Sequence, residues 1–212
     1  MAADSFLVVL VTRPYLWWAL VALRIWAYNR PGMKPPIASS YVKGVHGPGS
    51  LCHGGSTKTS KLEGRVRNSL SAAGFTVLPT SVQLIAPLAD KHGNWRKFTP
   101  DIMLLHNRKR VIVEVDPYHF HGQDDPGRIF HDVERNYAYS ASGWAVVRVR
   151  IGWPPENQWR QIGKYDVVID ADDFYPAEHA DLVRRAVVRA QRVPASTWNR
   201  QLDALAPWAD SK

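Results

Sequence analysis

The chain has 212 residues, 45% of them apolar and 22% charged, which is globular composition and enough length for one domain of about 100 to 200 residues plus an extension. Lysine and arginine number 27 against 19 aspartate and glutamate; the formal charge of +8 points to a polyanionic partner, either nucleic acid or an anionic membrane surface. One cysteine, Cys52, excludes an internal disulfide and zinc sites built on cysteine pairs, and makes a reducing cytoplasm the default compartment.

Basic charge is concentrated at the start. Residues 5–62 include no acid, while Arg13, Arg24, Arg30, Lys34, Lys43, Lys58 and Lys61 all fall there. Residues 1–28 form an apolar, Trp-rich segment expected to be helical. Trp17, Trp18, Leu20, Val21, Leu23, Ile25 and Trp26 surround its axis, so it must bury against its own domain, a partner or lipid, unless it lies ahead of the natural start. Arg13, Pro14 and Arg24 interrupt the run. It matches neither a spanning core of about 20 uncharged residues nor a signal peptide, so a membrane is not the expected partner.

Residues 29–59 are rich in proline, glycine, serine and lysine, and read as a linker or mobile basic arm. His46, Cys52 and His53 lack the second ligand cluster that a zinc site needs.

A folded domain is expected over 60–195, followed by a tail over 196–212. Leu62, Val66, Leu70 and Ala73 predict a helix from Lys61 to Ala73 that stops at Gly74. Short strands are expected at Phe75 to Leu78 and Val82 to Ile85. The segments "FTPDIMLLH" and "RVIVEVDPYHF", joined by a polar turn, predict a hairpin. A helix from Arg128 to Ser140, the strands "WAVVRVR" and "YDVVID", and a helix from Ala177 to Gln191 complete the pattern. This order implies an α/β fold with a mixed central sheet flanked by helices.

Acids inside apolar strands carry the chemistry. Asp101 follows Pro100, and Glu114 and Asp116 alternate with Val113 and Val115, so three carboxylates would converge at one end of the hairpin. Like charges are costly to bury unless a cation neutralises them, and Mg²⁺ is held by one or two carboxylates with phosphate and water. The alternative is solvated acids on an edge strand, which fits the flanking Ile112, Val113 and Val115 poorly.

The "PD" of Pro100 and Asp101, followed after a hairpin turn by "EVD" at Glu114 to Asp116, resembles the signature of the PD-(D/E)XK nuclease superfamily, with aspartate in the usual place of lysine. "VIVEVDPYHFHG", "DVERN" at Asp132 to Asn136 and "GWAVVRVR" at Gly143 to Arg150 resemble, in order and spacing, the very-short-patch-repair-type endonucleases over about residues 60 to 151. Pro117 departs from the glycine usual there, and that group's zinc-binding cysteines are missing.

The resemblance implies a restriction-endonuclease-like fold and a Mg²⁺-dependent endonuclease, with Mn²⁺ as a substitute, acting on DNA. Asp101, Glu114 and Asp116 would be the metal ligands. His121 would be the general base, with His119 as its alternative or a DNA contact. Histidine suits proton transfer because its unperturbed pKa is near 6.5. Glu63 would be a further acid near the metal, although Ser60 and Glu63 also have capping-box spacing.

Arg135 and Asn136 on the "DVERN" helix would touch phosphate, against the plainer reading of an internal salt bridge or a solvated face. Arg148 would pair with Glu114 or clamp DNA, and Trp144 is expected in the core. Arg184, Arg185, Arg189 and Arg192 are expected to be a solvated face. The competing functions are a non-catalytic nucleic-acid-binding module of the same fold and a membrane-associated protein anchored by its start.

Overall fold

A computed structural model describes residues 37–38, 46–90, 92–106, 109–118, 126–153 and 166–192. The chain is mixed α/β, with two mixed sheets flanked by helices. Strands β3 (Thr76–Val77), β6 (Ile102–His106), β7 (Lys109–Pro117), β8 (Ala145–Ile151) and β9 (Val167–Ile169) form the larger sheet in the order β3-β6-β7-β8-β9. β6 and β7 are antiparallel with Ile102 opposite Val113; β7 and β8 are parallel with Glu114 opposite Arg148. The helix α2 (Pro126–Ala141) makes the crossover between that parallel pair.

Alternation along the strands makes the sheet two-faced. Val111, Val113 and Val115 of β7 join Ala145, Val147, Val149 and Ile151 of β8 under α1 (Lys61–Ala72) and α3 (Pro176–Gln191). Val66 and Leu70 of α1, and Val183, Ala186, Val187 and Ala190 of α3, complete this core. Ser60 and Glu63 close the capping box at the start of α1: Glu63 N–H donates to Ser60 Oγ at 3.1 Å and Ser60 N–H donates to Glu63 Oε2 at 3.3 Å. Gly74, at φ +86°, takes the chain out of that helix in a conformation that L side chains resist.

The opposite face lies under α2 and the second sheet, ordered β1 (Ile37–Ala38), β2 (Leu51–His53), β4 (Val82–Ala89), β5 (Trp95–Phe98). Leu51, Leu84, Ala86 and Phe98 pack with Met103, Ile112, Tyr139, Trp144 and Val146. The second sheet changes two expectations. Leu51 and Cys52 are 1% and 0% exposed in β2, so this part of the stretch expected to be a linker is folded. The expected hairpin forms between β6 and β7, but Phe98 ends β5 in the other sheet, so the start of "FTPDIMLLH", Thr99 to Asp101, crosses between the sheets. Pro100 has no N–H to give a ladder, which suits the break. Residues 1–28, the basic arm up to residue 36, His119, His121 and the tail lie outside the described residues.

Candidate functional site

On the face under α2, β7 and β8 are apolar at their starts, with Ile112 beside Val146, and charged toward their C-terminal ends, with Glu114 beside Arg148 and Asp116 beside Arg150. α2 answers with its own polar stripe. Asp132, Arg135, Asn136 and Tyr139 recur at three- and four-residue intervals and share one helix face over the charged strand ends. The C-terminal ends of parallel strands are where open α/β sheets bind ligands.

Arg148 is the fixed centre. It is fully buried, and its Nη1 lies 2.6 Å from Asp116 Oδ2. Its Nε donates to Asn136 Oδ1 at 3.1 Å, and its Nη2 donates to the Asp132 carbonyl at 3.2 Å and lies 3.5 Å from the Asp132 carboxylate. Burial works against its charge, but Asp116, Asp132 and Glu114 outweigh that and raise its pKa. The expected phosphate contacts at Arg148 and Asn136 are therefore corrected: both side chains are spent inside the protein. The partner of Arg148 is also corrected, from Glu114 to Asp116. Asp116, expected on the metal, has Oδ2 turned to this guanidinium, and its carbonyl accepts from Trp153 Nε1 at 2.9 Å. Arg150 stacks over the Trp153 ring at 4.5 Å and pairs with buried Asp166 at 3.1 Å.

The second group is Asp101, Glu114 and Arg135. Asp101 sits on the crossing between the sheets, and its Oδ2 accepts the Val115 N–H at 2.8 Å, which pins it against β7. Glu114 is 1% exposed. Arg135 Nη2 lies 2.8 Å from Glu114 Oε2, a close ion contact without a well-directed hydrogen bond. Arg135 also donates from Nε to the Tyr139 hydroxyl at 3.1 Å and from Nη2 to the Thr99 carbonyl at 3.4 Å. Its expected phosphate contact is thus replaced by an internal ion pair, with the side chain still 26% exposed.

Burial, then the charge of Glu114, holds the Asp101 carboxyl well above the usual range, and Glu63 pushes the same way; the Val115 N–H and Arg135 oppose them. Burial raises Glu114 as well, with Arg135 and Arg148 opposing and Asp116 adding to the rise. Glu63, at the start of α1, is both a helix cap and a charge felt by Asp101.

On this face Asp101, Glu114, Asp116, Asp132 and Asp166 lie among Arg135, Arg148 and Arg150. Asp101 and Glu114, which both feel the charge of Arg135, are the two acids of this face with raised pKa. Among the described residues no group of three or more His, Cys, Asp or Glu side chains gathers closely enough to hold a metal ion. Two convergent carboxylates with water and phosphate remain within what Mg²⁺ accepts.

Trp144 is 1% exposed in the core, as expected. On α3, Arg184 and Arg185 are exposed and pair with Asp181. No described helix is long and apolar enough to cross a membrane.

Three comparisons test whether known proteins share this arrangement. None matches: the chain finds no counterpart among protein-family models, curated proteins or solved structures. The reading of the site rests on its own residues.

Proposed function

We propose that the chain is a metal-dependent DNA endonuclease of the PD-(D/E)XK type, hydrolysing a phosphodiester at the C-terminal ends of β7 and β8. The observation that carries this reading is the pair of carboxylates at Asp101, pinned to the Val115 N–H, and at buried Glu114, in contact with Arg135, both with raised pKa. The element order supports it. A helix, an antiparallel pair carrying "PD" and "EVD", a crossover helix carrying "DVERN" and a parallel strand carrying "GWAVVRVR" follow one another as the resemblance implies.

Asp101 and Glu114 would hold Mg²⁺, or Mn²⁺ in its place, through hard carboxylate oxygens. The ion would lower the pKa of bound water and stabilise the leaving oxygen. Val115 N–H, which fixes the Asp101 carboxylate, would hold it ready for the ion, and Arg148 keeps Asp116 engaged within the protein. His121, or His119, would take the proton from the attacking water. The excess positive charge of the chain, concentrated in residues 5–62, would draw in the DNA backbone.

The test is plasmid nicking by purified protein in Mg²⁺ or Mn²⁺ and in EDTA. Activity should require the metal and be lost in Asp101→Ala, with DNA binding retained. Binding without metal-dependent cutting in either protein would leave a nucleic-acid-binding module.

A further inference from the structure

The two arginines on the site face are held very differently. Arg148 is fully buried and engaged by Asp116, Asp132 and Asn136. Arg135 reaches the same face from α2 with its side chain 26% exposed, so it has a way out to solvent. Its hydrogen-bond partners are neutral, the Tyr139 hydroxyl and the Thr99 carbonyl, and its contact with Glu114 is close but poorly directed. It is also the cation whose charge acts most strongly on both Asp101 and Glu114.

A guanidinium and a divalent cation cannot both sit against the Glu114 carboxylate without strong like-charge repulsion. The Tyr139 hydroxyl also reaches the Glu114 carboxylate, so Glu114 keeps a neutral partner when the guanidinium leaves. From this geometry we infer that Arg135 is the resident counter-ion of Asp101 and Glu114 in the metal-free protein, and that a divalent cation displaces it. The inference rests on the metal-site reading above and adds the exchange. Arg135 holds the carboxylates together without metal, and leaves Glu114 when the metal arrives. Metal binding is therefore weakened by the ion pair that it must break.

Calorimetric titration with Mn²⁺, together with thermal unfolding in EDTA and in Mn²⁺, separates the two layers. The unmodified chain should bind Mn²⁺ and Asp101→Asn should not. Arg135→Gln should bind about tenfold tighter, the equivalent of one charge-assisted contact no longer broken. Its metal-free form should unfold at a lower temperature, so its Mn²⁺-induced rise should be larger. Arg135→Gln binding no tighter than the unmodified chain, with binding still lost in Asp101→Asn, would overturn the exchange and leave the metal site standing. Absence of binding in the unmodified chain would overturn both. If Arg135→Gln does not fold, the Arg135 Nε–H resonance of the unmodified chain decides. Mg²⁺ should shift it and speed its exchange with solvent, and an unchanged signal would overturn the exchange.

Discussion

Arg148 on β8 and Asp101, held against the neighbouring β7 from the crossing between the sheets, make opposite contributions to stability. Arg148→Met would leave Asp116 and Asp132 buried without their shared cation, which costs roughly 3 to 5 kcal/mol and should appear as a lower urea midpoint with unchanged slope. Asp101 is the reverse case, because burial and Glu114 hold its folded pKa well above that of the unfolded chain. The native state then binds more protons than the unfolded state across that window, so stability is greatest below the unfolded value of about 3.9 and is lost as pH rises toward the folded pKa. Asp101→Asn keeps an acceptor for the Val115 N–H and removes the charge. In EDTA it should unfold at a higher temperature than the unmodified chain near neutral pH, with a flatter pH profile, while cutting is abolished. A lower unfolding temperature would mean that the carboxylate is structural. Gain of stability on loss of function is the mark of a group retained for chemistry.

At the scale of elements, Glu63 has two roles that substitution can separate. Ser60→Ala removes the acceptor for Glu63 N–H and should cost about 1 kcal/mol in thermal or urea unfolding. Glu63→Gln preserves the reciprocal hydrogen bond of the capping box and removes only the charge felt by Asp101. It should leave stability within about 0.5 kcal/mol and slow cutting less than about tenfold, because the carboxylate is committed to the helix start. A larger loss in the nicking assay would make Glu63 part of the metal site. The helices and the strands β7 and β8 were legible in sequence because their apolar positions repeat at the helical or the strand period, as in Val66 with Leu70 and Val111 with Val113 and Val115, whereas only the first half of β4 was. β2 was not, since Leu51, Cys52 and His53 are too few to show a period and are flanked by glycine and serine. Strand parity put Glu114 with Asp116, and Arg148 with Arg150, on one face of their own strands, and the register of β7 and β8 brings the two pairs together. Parity could not pair them: the closest ion pair joins Asp116 to Arg148 diagonally, whereas the register sets Arg148 opposite Glu114.

For the whole molecule, β2 changes what a truncation can do. Sequence reasoning expects removal of residues 1–58 to leave a folded domain, but that cut deletes β1 and β2. β2 pairs with β4 along Leu51 to His53, and Leu51 and Cys52 are buried. Leu51 alone contributes roughly 1.5 to 3 kcal/mol of burial, and its loss uncovers Leu84 beside it in the ladder. The protein lacking 1–58 should therefore aggregate or unfold well below the full chain, as read by sedimentation and thermal unfolding. Removing only residues 1–30 leaves both strands in place and takes away Arg13, Arg24 and Arg30 together with Asp4. That shorter cut should stay soluble and bind DNA with a shallower dependence on salt. The logarithmic slope should fall by as much as about 2.7, which is about 0.9 for each of those three arginines that meets a phosphate. An unchanged slope would place the phosphate contacts elsewhere on the chain. An insoluble product from the shorter cut would instead assign the Trp-rich segment to the core, and the charge it carries would then be incidental to binding.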